Sequence, residues 1–168
     1  MKYVINIADV ELKPRPESFA ATGAAADKFD ALTGALSSRM GAQKLGYNLT
    51  VVPPGKCAFP FHNHHVNEEL FLVLEGTGEL RIGADTTKIK AMDVIACPPG
   101  GPELAHQILN SGDTDLKYLA VSTVESPEYV EYPDSGKFGV YGKSAGSGKG
   151  RIAFLGRSED GLDYWDGE

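Results

Sequence analysis

Residues 55–76 read GKCAFPFHNHHVNEELFLVLEG, and residues 98–110 read PPGGPELAHQILN. The first stretch carries His62, His64 and Glu69, and the second carries His106. Neutral imidazole nitrogen and carboxylate oxygen are good donors to Zn, Fe, Ni and Mn, so this set can hold one divalent transition metal. The chain has four histidines, and only His65 falls outside the set. Taken singly, a histidine is more often a surface group or a hydrogen-bonded core residue, so the clustering carries the metal reading. On a strand, residues i and i+2 face the same side, which predicts that His62 and His64 point together. Glu69 opens a further strand, ELFLVLE, after the polar connection HVNE, which reads as a hairpin. His106 belongs to a later strand, AHQILN, and has to be brought in by tertiary folding.

Outward from these stretches the chain reads as strands and turns. LGYNLTVV, GELRIG, TTKIKA, DVIACP and DLKYLAVSTV accompany the segments that carry the candidate ligands, AFPFHNH, ELFLVLEG and AHQILN. EGTG and GADT supply turn chemistry between them. At least eight strands at regular spacing predict an all-β fold, a double-sheet jelly-roll barrel. We expect residues 45–125 to form the barrel, residues 1–44 an N-terminal strand and arm packed on it, and residues 126–168 a C-terminal extension of the same domain. In the arm, VINIADVEL reads as an edge strand and the prolines of KPRPE as a break. AAADKFDALTGALSSRM has some helical periodicity, weakened by Gly34, and reads equally as an arm wrapping the barrel or a neighbouring subunit. Beyond the barrel, EYPDSGKFGVYG reads as a loop and short strand, KSAGSGKG as a flexible linker and RIAFLG as a final strand.

Composition sets limits on function. At 168 residues, with 42% hydrophobic and 23% charged residues, the chain suits one globular domain with a real core. A net charge of −7 argues against nucleic acid and against an anionic membrane surface. Part of that acidity is a tail, Glu159, Asp160, Asp163, Asp166 and Glu168, of the kind usually solvated. The opening MKYVINIADVELKPRPESF has no apolar core of a signal peptide, and no stretch is long and apolar enough to span a membrane, so a cytoplasmic protein is expected. Two cysteines, Cys57 and Cys97, make no disulfide framework. Cys57 is either a thiol near the metal or a small buried residue.

The two opening stretches resemble the paired motifs of the cupin superfamily, G-x5-H-x-H-x3,4-E-x6-G and G-x5-P-x-G-x2-H-x3-N. Gly55, His62, His64, Glu69 and Gly76 match the first, with one extra residue after Gly55. Glu68 also satisfies the spacing from His64, but only Glu69 keeps six residues before Gly76. Pro98, Gly100, His106 and Asn110 match the second motif, with Met92 at the place of its first glycine and GPELA inserted before the histidine. The insertion is expected to bulge at the barrel mouth. The resemblance implies a double-stranded β-helix with one divalent metal, Zn, Fe, Mn or Ni, on His62, His64, Glu69 and His106. PPGGPELAHQILN, EYPDSGK and the terminal DYWDGE further resemble a group of small bacterial single-domain cupins often labelled as candidate sugar-phosphate isomerases.

Three functions are compatible with this reading. Four protein ligands on an octahedral metal leave two positions for water, substrate or dioxygen, and a metal so held can polarise a carbonyl or template an enediol. A sugar isomerase also needs a base, for which Glu103 in the insertion is the candidate, its alternative being an exposed loop carboxylate. A phosphate would need cations, and Lys44, Lys56 and Arg81 are available unless they are ordinary surface charges. An Fe(II)-dependent dioxygenase needs little beyond the metal and a dry pocket, which Phe59, Phe61, Phe71 and Tyr118 could line. Parity sets Phe59 and Phe61 away from the metal and Phe71 inward. A non-catalytic cupin that binds a small ligand is the third reading. Gln107 is expected to point outward, and Asn110 to close a strand end or turn. A homodimer is expected, because exposed sheet edges and the arm invite pairing.

Overall fold

The structure, a computed structural model, describes residues 2–143 and 151–168. Thirteen strands account for most of its regular structure among these residues, beside short 3-10 turns and one four-residue helix. The first five are β1 (Lys13–Pro14), β2 (Leu32–Ala35), β3 (Leu45–Val52), β4 (Asn63–His64) and β5 (Glu69–Glu75). Next come β6 (Thr77–Ile82), β7 (Asp85–Lys90), β8 (Val94–Cys97) and β9 (His106–Leu109). The last four are β10 (Leu116–Thr123), β11 (Glu128–Tyr132), β12 (Lys137–Lys143) and β13 (Arg151–Gly156). The stretch 144–150, which holds most of the expected linker, lies outside the described residues.

One sheet has six strands in the order β1-β2-β3-β10-β5-β8, every pair antiparallel. Opposite it lie β7-β6-β9 and β13-β12-β11-β4. Residues 57–64 stitch these two pieces into one layer. Cys57 bridges Leu109, His62 exchanges backbone hydrogen bonds with His106, and Asn63 and His64 pair with Glu131 and Val130. The result is two facing layers of antiparallel strands, the double-stranded β-helix expected from strand count and spacing.

Alternation decides what lies between the layers. On β5, Phe71 and Val73 are buried and Glu69 shares their parity; on β10, Leu116, Tyr118 and Ala120 are buried. With Val52, Leu80, Ile89, Ile95 and Ile108 they form the main core. Burying each large aliphatic or aromatic side chain stabilises the fold by about 1.5–3 kcal/mol relative to exposure. A smaller cluster, Val10, Leu36 and Leu49 with Ile5, Leu12, Tyr47, Leu74 and Leu119 around it, lies under the N-terminal arm. Gly34 makes that arm possible, because a β-carbon there would come within 2.3 Å of Val10 Cγ1.

Three local expectations are corrected. VINIADVEL is not a strand: its middle is a 3-10 turn, Ile7–Asp9, opened by Ala8 N–H donating to Asn6 Oδ1. The edge strand falls on the Lys13–Pro14 break instead, where a proline lacking N–H is tolerated because the edge has no further neighbour. HVNE is not a hairpin, since β4 pairs with β11 while β5 pairs with β10 and β8; the turn carries the chain from one layer to the other. The GPELA insertion forms an exposed 3-10 turn, Pro102–Leu104, packed on the β6–β7 turn through Gly83, away from the barrel mouth. Met92, at the place of the motif's glycine, adopts a left-handed backbone with φ 74°.

Candidate metal centre

His62, His64, Glu69 and His106 converge on one carboxylate oxygen. Nε2 of His106, His64 and His62 lie 3.0, 3.4 and 3.8 Å from Glu69 Oε2. Donor atoms of His62, His64 and Glu69 all lie within 4.8 Å of one another, the compact arrangement a single ion requires. His62 and His106 are held side by side by their backbone bridge, with ring centroids 4.7 Å apart. His64 follows two residues on, and Glu69 comes across from the opposite layer at the start of β5. His106 is buried, and the other three side chains are 13–19% exposed on the cavity side.

One histidine ring, that of His62, is held from behind by a hydrogen bond. His62 Nδ1 lies 2.8 Å from the Pro60 carbonyl oxygen. A carbonyl only accepts, so Nδ1 carries the proton, and Nε2 of the neutral ring keeps a lone pair facing Glu69. His64 Nδ1 faces Glu128 Oε2 at 3.5 Å. His106 Nδ1 is buried with no hydrogen-bond partner among the described residues.

Electrostatics separate the members. Burial, and then repulsion from His106, lower the His62 imidazole to about 4, so it stays neutral at ordinary pH. Burial acts to lower His64 too, but hydrogen bonding and charge from Glu69 and Glu128 outweigh it and raise its pKa. For Glu69, burial would raise the carboxyl, yet hydrogen bonds with His106 and His64 hold it well below the carboxylate range. Three imidazoles around an ionised carboxylate, once the rings are unprotonated, are the donor set that a divalent transition ion takes, so the residues fit such an ion.

A cavity of about 430 Å³ opens onto this cluster. Phe59, Phe71, Tyr132 and Tyr141 give it aromatic walls, and Asn67, Glu125 and Glu128 give it polar ones. The Tyr132 ring lies nearly parallel to His62, 6.1 Å away and tilted by 21°. Burial and a hydrogen bond with Tyr141 raise the Tyr132 pKa, so its hydroxyl stays protonated. Among the described residues the lining holds no lysine or arginine.

The other sequence candidates fall in different places. Glu103 is not at the cavity: it is exposed on the insertion's 3-10 turn, where its carboxylate accepts from Gly101 N–H. Lys56 donates to the carbonyls of Ala26 and Asp27 in the arm. Arg81 stacks on Phe61 and forms two bonds to Asp134, while Lys44 is exposed. Phe71 and Tyr118 face inward and line the small space behind His62 and His106, while Phe61 lies under Arg81. Phe59 departs from parity and reaches the cavity, because residues 58–62 are not a regular strand. Gln107 donates to the Phe59 carbonyl, and fully buried Asn110 bonds Val52, Thr114 and Gly112 to close its turn. Cys57 is a buried thiol outside this cavity, whereas Cys97 pairs with Glu69 across β5 and β8. Burial, and then the Glu69 charge, push the Cys97 thiol up to about 12. Sequence reasoning missed Glu128, Tyr132 and Tyr141, which carry no metal-ligand spacing and reach the site only through β11 and β12.

A double-stranded β-helix with a His-His-Glu cluster at its mouth defines the cupin class. Residues 48–122 match the family model for the cupin domain. A crystal structure described as a sugar phosphate isomerase from a cupin superfamily, from Silicibacter pomeroyi, superposes with a TM-score of 0.77 at 21% identity, over 97% of this chain and 98% of that one. An uncharacterised protein of Methanocaldococcus jannaschii is 35% identical over 72 residues, 43% of this chain. The oxalate-binding protein of Thermotoga maritima is 36% identical over 70 residues, 42% of this chain. The chain spans about half the length of these curated relatives, 54% of each.

Proposed function

We propose that this protein is a metal-dependent enzyme of the isomerase or epimerase type acting on a sugar or similar small hydroxylated molecule. His62, His64, Glu69 and His106 would hold one Zn, Fe, Mn or Ni ion. The observation that carries the reading is the cavity of about 430 Å³ lined by His62, His64 and Glu69, with His106 buried behind them, within the size range of small-molecule sites. The bound metal would polarise a substrate carbonyl or hydroxyl oxygen. Tyr132, whose protonated hydroxyl is bonded to Tyr141, can turn that one O–H to a substrate oxygen in exchange for the Tyr141 bond, and the rings of Phe59 and Phe71 line the same space.

A proton must also leave and return to carbon. Of the lining carboxylates, Glu69 sits in the donor cluster and Glu128 already accepts from Val66, Asn67 and Tyr129. Glu125, at the cavity rim, is the carboxylate left for this step. The lack of lysine and arginine in the described lining favours an unphosphorylated substrate over a phosphate ester. We read the protein as cytoplasmic and as a homodimer, in which a second copy covers exposed Tyr3, Phe19, Tyr164 and Trp165.

Solvent exchange tests the reading. Protein reconstituted anaerobically with each metal and incubated in deuterated water should place deuterium at carbon in a panel of free aldoses and ketoses. Consumption of dioxygen with Fe(II) and no exchange would replace isomerisation with oxygenation. The oxalate-binding relative supports a second reading, a cupin that holds a small carboxylate without turnover. Thermal stabilisation by oxalate, with neither exchange nor oxygen uptake, would favour it.

A further inference from the structure

Glu128 lies outside the residues that match the cupin family model, yet it is only 7% exposed and lines the cavity. Burying a carboxylate is costly unless it is satisfied, and this one is heavily satisfied. Its Oε1 accepts from the backbone N–H groups of Val66, at 3.2 Å, and Tyr129, at 3.0 Å. Its Oε2 accepts from Asn67 N–H, at 3.0 Å, and from the Asn67 side-chain amide. Oε2 also lies 3.5 Å from His64 Nδ1, an approach longer than an ordinary hydrogen bond, and that nitrogen is buried with no hydrogen-bond partner among the described residues, so Glu128 is the acceptor placed nearest to its proton. Behind a metal-binding imidazole, a carboxylate fixes which nitrogen keeps the proton and which keeps the lone pair.

We propose that Glu128 is the positioning residue for His64, holding its proton on Nδ1 so that Nε2 faces Glu69. The Pro60 carbonyl does the same for His62. The placement of Glu128 ties the site to the C-terminal extension. The inference rests on the metal reading above, and the experiment separates the two.

Metal-free full-length protein and its Glu128→Gln variant are titrated with Co(II) in competition with a chelator. Zn(II)-loaded, ¹⁵N-histidine-labelled samples of both give the protonation of each ring nitrogen. We expect Glu128→Gln to bind Co(II) about 10–100-fold more weakly, with the His64 ring signals moved and those of His62 and His106 held. Wild-type His64 should show a proton on Nδ1 and metal on Nε2, and the opposite arrangement would overturn the inference even if the variant does not fold. Unchanged affinity, metal on His64 Nδ1, or an equal shift of all three rings overturns the inference. No Co(II) uptake by the wild type overturns the metal reading, and the inference with it.

Discussion

Met92 shows at the level of one residue what a departure from a motif costs. It occupies a left-handed conformation with φ 74°, and its side chain is 76% exposed, so it gains little packing in return. Such backbone costs a non-glycine residue about 1–3 kcal/mol, partly offset by the greater unfolded freedom of glycine. Met92→Gly should therefore raise stability by about 1 kcal/mol in chemical denaturation, and a loss of stability would contradict this account. The sequence flagged Met92 only by its place in a pattern, because φ is not legible in side-chain chemistry. The metal candidates were legible for the opposite reason: their chemistry is rare, and their spacing on strands fixes their direction. Phe59 was misplaced because parity holds only for regular strand, and the segment through Pro60 is irregular.

At the scale of elements, β3, β5 and β13 fall where the sequence reading put them, on LGYNLTVV, ELFLVLE and RIAFLG. Periodicity gives the face of a strand but not its partner, and so the crossing at HVNE read as a hairpin. What fixes that crossing is Asn67, 7% exposed, whose Oδ1 accepts from Thr123 Oγ1 and Glu125 N–H and whose amide reaches Glu125 and Glu128. Asn67→Ala would leave those groups short of partners, at about 1–3 kcal/mol. The variant should melt lower and bind metal more weakly, because the turn connects His64 to Glu69. A melting temperature equal to wild type would show that the crossing is held by something else. The two short arm strands were beyond sequence reading: a strand of two residues with a proline carries no period, and its stability comes from pairing with β2.

For the molecule as a whole, the cavity joins two parts that differ in how well they could be read. The match to the cupin family ends at residue 122, while the cavity wall continues through Glu125, Glu128, Val130, Tyr132 and Tyr141. The four candidate ligands belong to the matched part, and much of the remaining cavity wall belongs to the extension, where no metal-ligand spacing marks it. The centre as a whole should respond to pH through His64. Its raised pKa means that the metal-free fold holds that proton more tightly than the unfolded chain. This contributes stability below the unfolded value of about 6.5 that is lost as pH rises through the folded value. Metal binding has the opposite sense, since the ion takes the unprotonated ring. Thermal stabilisation by added Zn(II) should accordingly shrink as pH falls from about 8 to about 6, and stabilisation that is flat across this range would contradict the assignment of His64. His62, lowered to about 4, stays neutral throughout that window.

The central claim is that one transition ion sits on His62, His64, Glu69 and His106, and elemental analysis tests it most directly. Wild type, His62→Ala and His106→Ala would be purified anaerobically without a metal-affinity tag and reconstituted with Zn(II), Fe(II), Mn(II) and Ni(II) in turn. The account predicts about one equivalent of at least one of these metals in the wild type and loss of most of it in both variants, with the circular dichroism of the barrel unchanged. A wild type that retains no metal after reconstitution, or variants that retain as much as the wild type, would contradict it.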